Sequence, residues 1–137
     1  MRRVFIDASA LVPMAIERDP WRPRLQDALR ELRGPAPFEF VTTNWTLYEA
    51  LAVSQRRGKR FAVGLFSMVT TSMEIVAIRD EVESEALRQF LAWNDKTASV
   101  VDHANALVAA GEGCDSILSF DLDFVPLAAA AGLGLLR

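Results

Sequence analysis

With 137 residues, 51% of them hydrophobic and 24% charged, the chain can form one compact domain (1–137) with a sizeable core; disorder, collagen-like repeats and a disulfide-stapled miniprotein are excluded. Cys114 is the only cysteine, which rules out an internal disulfide and a thiolate zinc cluster and fits a reducing cytoplasm. The formal net charge of -3 provides no whole-molecule attraction to phosphates, so any nucleic-acid contact must be local.

Taken in chain order, Arg3 to Ile6 is a short β-prone run, with Val4, Phe5 and Ile6 contiguous and apolar as in a parallel strand buried on both faces. Asp7 ends it, and also interrupts the apolar start MRRVFIDASALV before a signal peptide could form. Ala8 to Ile16 starts a helix; Pro20 and Pro23 mark a break, and Arg24 to Arg33 forms a second helix closed by Gly34-Pro35. Phe38 to Thr42 reads as a strand, Trp45 to Gln55 as a helix closed near Gly58, and Phe61 to Val69 as another helix. Ile75 to Ile78 is a third strand. Glu81 to Trp93 is an amphipathic helix with Val82, Ala86, Leu87, Phe90 and Leu91 on its apolar side. A helix over Ser99 to Ala110, a strand over Ser116 to Phe120, a helix over Phe124 to Ala131 and a last strand over Leu133 to Leu136 complete the series. The longest apolar stretch, Val125 to Leu136, is broken by Pro126, Gly132 and Gly134, and falls well short of the ~20 residues of a membrane span.

Strands alternating with crossover helices imply an α/β fold, a three-layer α/β/α sandwich around a mostly parallel sheet. Ligands in such sheets bind beyond the carboxyl ends of the strands, where Asp7 and Asp121 stand. Each acid also has a structural reading. Asp7 can cap the following helix. Glu49 shares a helical face with Thr46 in WTLYEALAV, a segment otherwise apolar all round and therefore expected to be buried; a carboxylate there needs a partner or a cation. Asp102 forms a polar ridge with Asn105, while Ser99-x-x-Asp102 resembles a capping box; both roles can hold at different atoms. Of Asp121 and Asp123 in ILSFDLDF, one can cap the next helix and leave the other free. The pair resembles the Asp-x-Asp of haloacid-dehalogenase-type phosphatases, but fourteen residues follow Asp123, too few for the remaining catalytic groups of that fold. His103, the sole histidine, points about 100° from Asp102 on a helix and is expected to pack or lie at the surface.

Several carboxylates at one point repel unless hard cations neutralise them, and an all-oxygen site suits magnesium better than zinc. Two ions roughly 3.5 to 4 Å apart would activate water and stabilise the leaving oxygen of a phosphodiester. Arg56-Arg57-Gly58-Lys59-Arg60 places four cations in five residues, either a solvated turn between helices or a local holder of RNA backbone.

VFIDASALV, VTTNWTLYEAL, DKTASVVDHANALVAAG and SILSFDLDF, in this order and spacing, resemble the motifs of PIN-domain proteins, especially VapC-type toxins, across nearly the whole chain. The resemblance implies an α/β/α sandwich and a magnesium- or manganese-dependent endoribonuclease. By motif position Asp7, Glu49, Asp102 and Asp121 are its first to fourth acids, Asp7 and Asp102 being the principal metal ligands. Ser9 and Thr43 match polar residues that support the first and second acids, Asn105 stands where many members carry Ser, and Asp123 falls where members vary. The resemblance also implies an RNA substrate, a small antitoxin from the adjacent gene, a homodimer and a cytoplasmic site of action. Two other readings are a PIN ribonuclease of RNA processing and a non-catalytic PIN-like scaffold, whose mark would be a lost acid; all four are present. A phosphoacceptor receiver domain would want a Lys after a late strand, and none follows Lys96.

Overall fold

The computed structural model describes residues 1–94 and 97–137, so Lys96 lies outside the described residues. Its elements run β1 (Arg2–Ile6), α1 (Ala8–Ala15), α2 (Arg22–Leu32), β2 (Phe38–Thr43), α3 (Asn44–Gln55), α4 (Lys59–Ser72), β3 (Glu74–Val76), α5 (Asp80–Ala92), α6 (Val100–Gly111), β4 (Ser116–Leu118), α7 (Phe124–Ala131) and β5 (Gly134–Leu136). The sheet order is β3-β2-β1-β4-β5, and every neighbouring pair is parallel.

Alternation along β1 builds the three layers. Val4 and Ile6 join Leu118 and the buried faces of α1 to α4, including Leu11, Leu25, Leu47 and Leu65. Phe5 points to the opposite layer, with Val41, Ile117, Ala109 of α6 and Phe124 and Leu127 of α7. The chain winds outward from β1 through β2 to β3 and then returns to place β4 on the other side of β1. The reversal opens a crevice between the carboxyl ends of β1 and β4, where doubly wound sheets bind ligands.

Three expectations need correction. The strand expected over Ser116 to Phe120 stops at Leu118, because the amides of Phe120 and Asp121 bond to the Ser9 and Ser119 hydroxyls instead of to a neighbouring strand. Helix α3 is not buried all round: Leu47, Ala50 and Ser54 pack inward, while Tyr48, Glu49 and Val53 are exposed. On α5, Ala86 is buried but Leu87, Phe90 and Leu91 are exposed, so the apolar contact is narrower than its periodicity suggests.

Candidate active site

Asp7 follows β1 directly, and its amide bonds to Leu118 O at 3.1 Å, continuing the β1–β4 ladder by one residue. The residue that follows β4 is Ser119, and its hydroxyl donates to Asp7 Oδ2 at 2.9 Å. Ser9 donates to the same oxygen through Oγ at 2.8 Å and through its amide at 3.4 Å, which makes Asp7 the N-cap of α1. Oδ2 is committed to the cap and the two hydroxyls, while no hydrogen bond among the described residues engages Oδ1.

Asp102 repeats this division. The capping box forms in full, with Asp102 Oδ2 accepting the Ser99 amide at 2.9 Å and Ser99 Oγ accepting the Asp102 amide at 3.1 Å. Asp102 is only 8% exposed. Burial, reinforced by the charges of Asp7 and Asp121 and opposed by the Ser99 amide, pushes its carboxyl up to about 7. Asp121 Oδ1 accepts the Asp123 amide at 2.9 Å, and burial also raises this carboxyl, with the Asp123 and Asp7 charges adding to the shift. Glu49 is raised first by partial burial, then by Asp7 and Asp121. Its carboxylate stands at the solvent rim while still feeling the acids within, so surface exposure and raised proton affinity coexist.

All four expected acids line one open cleft of about 320 Å³. Asp102 and Asp121 of this cleft form an oxygen group with Asp123, which is not among the cleft's lining residues; each of the three offers a carboxylate oxygen within 4.8 Å of the others. Asp123 is thus within reach of two of the acids, and one of its oxygens also accepts the Thr97 hydroxyl at 2.5 Å. Ser119, Asp19 and Trp21 are additions that sequence reasoning did not find; Asp19 and Trp21 line the cleft, and Ser119 orients Asp7.

The supporting residues divide. Ser9 touches its acid directly. Thr43 caps α3 by accepting the Thr46 amide at 3.1 Å and donates to Asn105 Oδ1 at 2.9 Å, without a bond to Glu49. Asn105 in turn donates to Thr46 Oγ1 at 2.6 Å. The ridge expected on α6 is thus a buried polar staple that sets the helix of Asp102 against that of Glu49. Asn105→Ala strands two buried hydroxyls at about 1–3 kcal/mol, so thermal denaturation is expected to show Tm lowered by ~3–10 °C; an unchanged Tm would deny the staple its role. His103 is buried, edge-on to Trp93 at 5.2 Å and Phe90 at 6.4 Å, which makes it a packing residue between α5 and α6. The basic run connects α3 to α4: Arg57 and Arg60 line a cleft with Ile16, Glu17, Arg18 and Phe61, whereas Lys59 bonds to Gln55.

An α/β/α sandwich with an acid-lined crevice at its switch point is the class that fold and site define. No family model and no curated protein matches the chain. Solved structures do. The chain is similar to VapC20 of Mycobacterium tuberculosis, described as a sarcin-ricin loop cleaving toxin, at 23% identity and TM-score 0.79 over 95% of both chains. It is also similar to VapBC2 of Rickettsia felis, described as bound to a promoter DNA fragment, at 12% identity and TM-score 0.67 over 97% of this chain and 96% of that one. PAE2754 of Pyrobaculum aerophilum matches at 19% identity and TM-score 0.59, over 92% of this chain and 84% of its own. The chain therefore has the fold expected from the resemblance, that of PIN-domain, VapC-type proteins. Among the described residues no helix is long and apolar enough to cross a membrane.

Proposed function

We propose that this chain is a divalent-metal-dependent endoribonuclease that hydrolyses RNA phosphodiester bonds, acting as the toxin of a toxin–antitoxin pair. The observation that carries the reading is the convergence of Asp7, Glu49, Asp102 and Asp121, from four separate elements, on one cleft at the switch point. The donor set fits a hard cation. Its ligand atoms are all carboxylate oxygens, three of the carboxyls are raised by burial and mutual charge, and among the described residues no cationic side chain lines the cleft to neutralise them. Magnesium, or manganese in its place, would be held by Asp7 and Asp102, with Glu49, Asp121 and Asp123 completing the acidic wall. When bound it would supply charge neutralisation at the phosphate and an acidified water.

The chain's own groups do the rest. Ser9 and Ser119 fix the Asp7 carboxylate through Oδ2, which leaves Oδ1 for a ligand at little reorganisation cost. The capping box does the same for Asp102. Glu49, at the rim with raised proton affinity, can exchange a proton with solvent entering the cleft. A small antitoxin belongs to the same reading, supported by the likeness to VapBC2; a second copy of the chain and a cytoplasmic site of action are expectations that come with it.

Cleavage of a mixed RNA pool by protein freed of any co-purified partner tests it. Activity with Mg2+ that is lost on chelation and in Asp7→Asn is the expected result. Cleavage that survives in the variant would belong to a contaminant, and no cleavage by folded, magnesium-binding protein would favour the scaffold.

The RNA-holding role proposed for the basic run falls to Arg57 and Arg60, which line a second cleft with Arg18. Replacing both with Ala should weaken binding to all RNA sequences and flatten the dependence of log K on log salt by about 0.7 per lost single-strand phosphate contact. Titrations at several salt concentrations that give an unchanged slope would remove that role.

A further inference from the structure

Trp21 is 49% exposed although its ring is stacked on another. The indole lies nearly parallel to Phe120, with centroids 5.3 Å apart and an interplanar angle of 7°. One face is therefore covered, and the ring still borders the acidic cleft together with Val12, Pro13 and Val53. Its position is tied to the acids by a short chain of contacts. The Phe120 amide donates to Ser9 Oγ at 2.9 Å, and Ser9 Oγ donates to Asp7 Oδ2 at 2.8 Å. From the other side, Asp19 Oδ1 accepts the Trp21 amide at 2.8 Å, and the Asp19 amide bonds to Ile16 O at 3.1 Å. A large aromatic ring is thus locked in place beside the carboxylates with exposed π surface, where apolar burial would leave none.

We infer that Trp21 is a base-stacking platform, a positioning residue that holds a nucleobase flanking the scissile phosphate of single-stranded RNA against its open face. The inference rests on the ribonuclease reading for the identity of the polymer. The cleft's chemistry supports it: its carboxylates suit metal-bridged phosphate, and the apolar side chains of Val12, Pro13, Trp21 and Val53 that share its lining suit a base rather than a second phosphate. A flat ring accepts any base, so Trp21 adds affinity and register, with sequence choice left to other groups.

The test uses the full chain and two readouts. In cleavage assays, Trp21→Ala should raise KM by about 5- to 140-fold with kcat little changed, the range expected for one base–aromatic stack. Trp21→Phe should restore most of that loss, and an RNA lacking the flanking base should cost wild type the same factor while costing Trp21→Ala nothing further. In 1H–15N spectra, the indole N–H of Trp21, assigned with Trp21→Phe, should shift on titration with a single-stranded RNA of about six nucleotides. Cleavage by Trp21→Ala with wild-type KM, or saturating RNA that leaves the Trp21 resonance unmoved, overturns the platform and leaves Trp21 to a protein interface, whatever becomes of the nuclease. A shifted Trp21 resonance in a wild type that never cleaves RNA sinks the nuclease reading and keeps the platform. Absence of any RNA binding sinks both.

Discussion

Asp102→Asn is expected to make the metal-free protein more stable at pH 8 while abolishing its RNA cleavage. The Asp102 carboxyl is pushed up to about 7 from an ordinary 3.8, mainly by burial. In the unfolded chain it ionises near its ordinary value, but in the folded chain it stays protonated to about pH 7, so the unfolded state releases its proton first. Stability is therefore full below about pH 4, declines as pH rises, and has lost its whole increment above about pH 7. Asparagine carries no charge to desolvate, and its side-chain oxygen can still accept the Ser99 amide. Urea unfolding should show a gain on the order of 2–4 kcal/mol at pH 8 that shrinks toward zero near pH 4. Cleavage should fall by about a thousandfold, the loss expected when several kcal/mol of metal-assisted transition-state stabilisation disappears. A variant that is less stable than wild type at pH 8 would mean that Asp102 is a structural cap and no metal ligand.

Magnesium should raise Tm, and raise it more at pH 8 than at pH 5.5. At a hundredfold excess over Kd the expected stabilisation is ~2.7 kcal/mol, equivalent to ~9 °C for a domain of this size. Protons compete for the same oxygens: Asp102, Glu49 and Asp121 are all raised, so at low pH a cation must displace protons before it binds. Thermal melts with and without Mg2+ at the two pH values, in wild type and Asp7→Asn, measure the effect. An increment equal at both pH values, or retained in the variant, would mean that any bound cation sits elsewhere.

Asp7 and Asp121 were legible in the sequence because strand-end position alone marks them, and the alternating elements sufficed to predict a parallel sandwich. Glu49 was singled out by an expectation of burial that the structure corrects: Thr46, expected on the same face, is buried against Asn105, while Glu49 is exposed and lines the cleft. The apolar residues of α3 face partly into open grooves, and residue type does not say which groove stays open. Ser119 was hidden because a serine inside Ser116 to Phe120 reads as a ladder residue. Only the departure of the chain from the sheet after Leu118 reveals that its hydroxyl serves Asp7. Trp21 sits between Pro20 and Pro23, where no periodicity operates, and its link to Phe120 spans 99 residues of sequence. Asn105 was recognised by motif position, yet its partners on α3 could be known only once α6 and α3 were set side by side.

The placement of β4 beside β1 has a further consequence for the timing of assembly. Asp7 emerges early in synthesis, but the hydroxyl that orients it and the fourth acid belong to residues 119 and 121, and the crevice has no second wall until the chain has returned across the sheet. An incomplete chain still held in the ribosome's exit tunnel can own three of the acids and no site. Assembly of the acidic crevice therefore waits on the crossover that docks β4 beside β1, which separates the synthesis of Asp7 and Glu49 from the moment at which the four acids share one cleft.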